Sequence, residues 1–105
     1  MTQLPRLLTP HTVLFQEHGG ESAYGDIYEP ERALQWVKVD EKTQLVRSAT
    51  GEEAVSSAQV YCRPKHAPLP VKSLVTLPSG RTSKVIRVDH LDHRPAPEHY
   101  VLYLE

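Results

Sequence analysis

A strand–turn–strand pattern between Val71 and Val88 constrains this chain more than any other stretch. Val71, Ser73, Val75 and Leu77 alternate with Lys72, Leu74 and Thr76, the period of two that suits a strand. Lys84-Val85-Ile86-Arg87-Val88 starts a second strand. Between them, Pro78 presets φ for the first central turn position and Ser79 suits the second. Gly80 can take the left-handed conformation that closes a type I turn with a bulge. Val71–Leu77 and Lys84–Val88 are therefore expected to pair as an antiparallel hairpin. The chain ends in His99-Tyr100-Val101-Leu102-Tyr103-Leu104-Glu105, where neither face is polar. A terminus that apolar predicts a last strand tied into a sheet.

Size and charge narrow the rest. At 105 residues and 39% apolar composition, the expectation is a single domain, 1–105, with one lean core. A net charge of −1 gives no general attraction to nucleic acid or to an anionic membrane, so binding to either needs a local patch. One cysteine, Cys62, leaves no internal disulfide and allows a reducing compartment. No apolar run approaches the roughly 20 residues of a membrane span. Met1-Thr2-Gln3-Leu4-Pro5-Arg6 lacks the basic start and apolar core of a signal peptide, so a soluble, unexported protein is expected.

Along the chain, residues 1–10 read as an extended arm whose Leu4, Leu7 and Leu8 need burial on this domain or on a neighbour. His11 to His18 reads as the first strand, with Val13 and Phe15 on one face, and Gly19-Gly20-Glu21-Ser22 breaks it. Ala23 to Glu31 reads as a loop. Its Tyr24 and Tyr28 either pack as a lid over the domain or form a contact surface. Arg32 to Asp40 reads as a strand in which Leu34 and Trp36 oppose Gln35, Val37 and Val39, which makes Trp36 the expected centre of the core.

Glu41 to Glu53 is poor in apolar residues, with Leu45, Val46 and Ala49 alone, and reads as a long hairpin tip or mobile loop turning at Gly51. Ala54 to Arg63 reads as one strand with a face of small residues, which suggests close approach of another element. Pro64, Pro68 and Pro70 make the next segment an extended crossover. Asp89 to Glu98 reads as a polar connection. With no convincing amphipathic helix, these signals predict an all-β domain, a small antiparallel barrel or sandwich.

There is no glycine-rich phosphate loop, nucleophile elbow or Cys-x-x-Cys pair. Among the six histidines, His90-Leu91-Asp92-His93 comes nearest to a metal pair. The rest of a four-ligand structural site cannot be assembled, and solvated histidines are the expectation. His11, His18, His66 and His99 sit at strand ends or in loops. Cys62 alternates with small residues, the setting of a buried hydrophobe rather than of an activated thiolate. The paired carboxylates Glu52-Glu53 and Glu29/Glu31 fall in loops. Lys72, Arg81, Lys84 and Arg87 share the terminal hairpin, but no stacking aromatics interleave with them there. Neither an enzyme nor a cofactor or metal protein is expected.

The order of features resembles the small head–tail connector proteins of tailed bacteriophages, also called head-closure, stopper or minor capsid proteins. The resemblance rests on His11-Thr12-Val13-Leu14-Phe15, on Tyr24-Gly25-Asp26-Ile27-Tyr28, and on Trp36-Val37-Lys38-Val39 leading into the long polar loop. It continues through Leu74 to Val88, with its strand–glycine–strand pattern, to the final apolar strand, and so spans most of residues 11–105. Ser83 departs from it, standing where many relatives place an aromatic.

The resemblance implies a barrel-like subunit that assembles as a hexameric or dodecameric ring in the virion neck. Such a ring has a portal or adaptor protein above it and a tail protein below it, and genomic DNA passes through its channel without sequence specificity. It seals the packaged genome and docks the tail. The loop 41–53 would then carry the channel or neighbour contacts, through Lys42, Thr43, Gln44, Arg47, Glu52 and Glu53. Leu7, Leu8, Tyr24 and Tyr28 would serve as interface residues. The competing readings are a free-standing barrel that binds protein, peptide or RNA, and another neck or tail ring such as a tail terminator.

Overall fold

The computed structural model describes residues 11–66, 69–91 and 98–105. Ten strands are seen among them: β1 His11–Gln16, β2 His18–Ser22, β3 Gly25–Tyr28, β4 Arg32–Asp40, β5 Gln44–Arg47, β6 Glu53–Ser56, β7 Ala58–Cys62, β8 Leu74–Thr76, β9 Thr82–Leu91 and β10 His99–Leu104. Six of them close a barrel in the order β1-β4-β7-β10-β9-β8, every neighbour antiparallel. The remaining four form two separate hairpins, β2–β3 and β5–β6. A single turn of 3-10 helix at Pro64–His66 follows β7, and the described part of the proline-rich crossover holds no strand.

Closure answers the problem posed by a lean composition. A barrel has no open edge, so its backbone groups are paired throughout and one small apolar interior suffices. That interior is filled by alternate residues of each strand. Val13, Phe15, Leu34, Val37, Val60, Val75, Val85, Leu102 and Leu104 are all buried. Cys62 lies among them, and burial pushes its thiol up to about 12, so it stays protonated and packs as a small hydrophobe. The small face of β6 and β7 also faces inward, with Ser56 donating through Oγ to the Leu104 carbonyl at 3.0 Å.

The β8–β9 hairpin forms as the sequence predicts, with Leu74, Val75 and Thr76 opposite Lys84, Ser83 and Thr82. Gly80 N donates to Leu77 O at 2.8 Å and Leu77 N to Arg81 O at 2.8 Å, the two bonds of a type I turn closed by a bulge. Gly80 has φ 95°. A Cβ there would meet no atom within 4 Å, so the cost of adding one is conformational rather than steric. Gly80→Val is expected to destabilise the domain by about 1–3 kcal/mol, measured by urea denaturation; an unchanged midpoint would refute this role for the turn. β8 is shorter than Val71–Leu77 because Lys72 turns to φ 71°. Pairing with β9 nevertheless continues, through Lys72 N to Val85 O and Val85 N to Ser73 O, each 2.8 Å.

Trp36 is the main departure from expectation. It is 36% exposed, not central. The β1–β4 register shifts at this point, His11 opposing Val37 and Thr12 opposing Gln35, so that Trp36 is the extra residue of a bulge. Its φ of 61° is rare for a bulky side chain. The bulge resets the alternation: Leu34 and Val37 both point inward, while Gln35 and Trp36 are exposed. Two histidines serve the displaced backbone. His11 Nδ1 accepts from Val39 N at 3.1 Å, and His66 Nε2 donates to the Gln35 carbonyl at 2.9 Å.

Burial, foremost, holds the His66 pKa below its usual value, with the Gln35 hydrogen bond opposing it. The folded protein therefore keeps His66 neutral where the unfolded chain, near pH 6.5, already takes up a proton. Stability from this group is complete above that pH and is lost as pH falls through the folded value. The urea midpoint is expected to drop between pH 7.5 and 5, and His66→Gln to flatten that drop; an equal slope in the variant would exclude His66 as its source.

Other boundaries moved as well. The strand read as His11–His18 ends at Gln16, and the strand read as Ala54–Arg63 is broken at Ser57, where the chain leaves the β5–β6 hairpin for the barrel. Ser57 N caps the end of β10 by donating to Leu104 O at 2.9 Å. β9 runs on to Leu91, so Asp89 to Leu91 are strand; residues 92–97 of the predicted connection, and the arm 1–10, lie outside the described residues.

Candidate functional site

The two hairpins flank β4 in the chain, one before its first residue and one after its last. They carry most of the residues singled out by sequence. Of the two readings of 41–53, the hairpin tip is the one seen, as β5–β6, and the mobile loop is not. Gln44, Leu45, Val46 and Arg47 stand opposite Ser56, Val55, Ala54 and Glu53. Its turn repeats the geometry of the β8–β9 turn: Gly51 N donates to Ser48 O, Ser48 N to Glu52 O, and Gly51 has φ 90°. In the single chain this hairpin is tied to the barrel. Ala49 N donates to Ile86 O at 3.0 Å, Arg87 Nη1 to Arg47 O at 3.2 Å, and Val46 is buried.

The opposite face of β5–β6 is open. Leu45 is 64% and Val55 58% exposed, directly across from each other. Lys42, Thr43, Gln44, Arg47, Glu52 and Glu53 are all exposed around this pair. Lys42 sits 3.4 Å from Asp40, and Arg47 Nη1 donates to Gly51 O at 2.6 Å while standing across from Glu53.

The β2–β3 hairpin replaces the break and loop expected over residues 19–31. Its turn is set by Ser22, whose Oγ accepts from Tyr24 N and donates to Gly25 O. Tyr24 at the tip is fully exposed, which overturns the lid reading for this ring. Tyr28 is half-buried, edge-on to His18 at 5.7 Å. The hairpin is fastened to the barrel by His18 N donating to the buried Ser73 Oγ at 3.0 Å. Lys72–Glu21 at 3.4 Å and Lys84–Asp26 at 4.0 Å add ion pairs. Asp26 also meets His18 Nε2 at 3.2 Å, and that hydrogen bond, foremost, holds its carboxyl below the usual range.

The basic residues of the terminal hairpin do not form a free patch. Lys72, Lys84, Arg81 and Arg87 pair with Glu21, Asp26, Glu41 and Asp89 respectively. Sequence reading missed two arrangements that only strand pairing creates. Strand pairing aligns Lys38, Tyr61, Val101 and Asp89 in one row and Asp40, Gln59, Tyr103 and Arg87 in the next, with Val101 and Gln59 buried and the other six side chains at least partly accessible. Lys38 lies 5.8 Å from the Tyr61 ring centre and Arg87 5.9 Å from that of Tyr103. The other arrangement is the cluster of His18, Glu21 and Asp26, whose sequence signal was the Gly19-Gly20 pair that permits a bulge.

His90, from the pair considered for metal, bonds Glu98 at 2.7 Å and stacks on Tyr100; Asp92 and His93 lie outside the described residues, as do Leu7 and Leu8. Comparison with family models, curated proteins and solved structures gives no match.

Proposed function

We propose that this protein is a structural subunit of a phage neck, forming a ring beneath the portal or adaptor that seals packaged DNA and docks the tail. The observation that carries the assembly part of this reading is the open face of β5–β6. A two-stranded sheet with no third strand on either edge is marginal by itself, and such edges are templates for another chain. Leu45 and Val55 add exposed apolar surface to those edges. A neighbouring copy would cover that surface and satisfy those edges, and Arg47 and Glu53 would supply charges of both signs for a head-to-tail contact, the kind that closes rings. The assignment to a phage neck rests on the resemblance in motif order. Lys42 and Arg47 would face DNA or the neighbour's carboxylates, and Tyr24 at the other hairpin tip would meet an adjoining neck component.

Native mass spectrometry of the full chain tests the assembly: a hexamer or dodecamer is expected, and a stable monomer at high concentration would overturn it.

One observation favours the free-standing module instead. Tyr61 and Tyr103 beside Lys38 and Arg87 give the aromatic and cationic surface on which single-strand-binding barrels stack bases. Asp40 and Asp89 in the same rows offset its positive charge, which ranks it second. A monomer that takes up a short oligonucleotide in the same measurement would reverse that ranking.

A further inference from the structure

We propose that the β2–β3 hairpin is a site for a divalent transition-metal ion of the Zn2+ class, held by His18, Glu21 and Asp26. One ligand atom from each of these side chains lies within 4.8 Å of the others. The backbone explains how they meet. In a regular strand, positions 18 and 21 face opposite sides. The register slips between His18 and Gly20, with Gly20 at φ 126°, and this bulge turns the imidazole onto the face shared by the directly paired Glu21 and Asp26.

The imidazole is held in place before any ion arrives. His18 N is bonded to buried Ser73 Oγ, the ring rests edge-on against Tyr28, and Nε2 points at Asp26 Oδ1, 3.2 Å away. Ligands mounted on paired strands and locked by such contacts are the kind that bind metal without a large ordering cost.

The donor set selects the ion. One imidazole nitrogen and two carboxylates, with water completing the shell, suit Zn2+ or Co2+; Ca2+ asks for six to eight oxygens.

The same residues also act as an ion-pair clasp, because Lys72 and Lys84 already approach the two carboxylates. Those ammonium side chains are 52% and 40% exposed. Surface pairs of this kind are each worth no more than about fivefold in an equilibrium. A divalent ion engages all three ligands at once, and the long lysine stems can swing to water, so the ion displaces them.

The test uses the full chain, titrated with Zn2+ by calorimetry and with Co2+ by visible absorption. One ion per chain is expected. His18→Ala and Asp26→Asn should each weaken binding by roughly tenfold or more, with unchanged far-UV circular dichroism. Lys72→Met should tighten it by relieving the competing charge. Two outcomes would overturn the site: wild-type protein that binds Zn2+ no more tightly than both variants, or binding to which Lys72→Met makes no difference.

Discussion

Phe15→Ala is expected to cost about 3–5 kcal/mol and to lower the melting temperature by roughly 15–30 °C. Phe15 has no exposed surface and is the largest of the fully buried side chains. It stands directly opposite Arg32 on one neighbouring strand and Val75 on the other. The Arg32 guanidinium lies 5.1 Å from its ring centre, so the aromatic face closes the barrel interior and receives a cation. Six hydrogen-bonded strands surround the site, and a closed barrel cannot collapse into a cavity as an open sheet can. The loss is a large share of the 5–15 kcal/mol that a domain of this size has in total. Equilibrium urea denaturation measures it. A loss below about 1 kcal/mol would mean that the barrel repacks, and that the rigidity inferred from its closure is wrong.

The second large effect concerns assembly. Leu45→Lys combined with Val55→Glu is expected to leave a folded subunit that no longer forms rings. The two residues are opposite each other, so an ion pair replaces an apolar pair and the hairpin register survives, with subunit stability changed by less than about 1 kcal/mol. In a ring, each contact would lose the burial of two apolar side chains, about 1.5–3 kcal/mol apiece. That amounts to roughly a hundredfold or more per interface. Analytical ultracentrifugation of wild type and double variant decides it. Rings that persist in the variant would remove β5–β6 from the interface, and a variant that fails to fold would show the hairpin to be part of the domain's own stability.

The local chemistry of two turns was legible in the chain, whereas the turn of β2–β3 was not. Pro78-Ser79-Gly80 and the glycine at 51 each demand a conformation that other residues resist, so the turns they make were predictable without knowing what surrounds them. The shared face of Val13 and Phe15 followed from alternation, and an all-β barrel or sandwich followed from short strands between such turns; closure into a barrel is seen only in the structure. The expectation failed at Trp36, for a reason alternation cannot express. A bulge inserts one residue and shifts the parity of everything after it, and the bulge is fixed by the partner strand β1 and by His11 and His66, which are distant in sequence.

The same limit applies to the surfaces. Loop 41–53 looked too polar to order, yet its few apolar residues divide by face. Val46 packs inward and Leu45 outward, and a backbone bond from Ala49 N to Ile86 O and a side-chain bond from Arg87 to Arg47 O supply the rest. Tyr61 and Tyr103 are neighbours only because β7 and β10 pair, and His18 meets Glu21 and Asp26 only because β2 slips against β3. Sequence by itself determined the turns at Pro78-Ser79-Gly80 and at Gly51 and most of the extended segments, because those are properties of a residue and its near neighbours. The tertiary structure alone decided register, and with it the exposed Trp36, the neutralised basic residues and the His18 cluster, because register depends on which strands lie side by side.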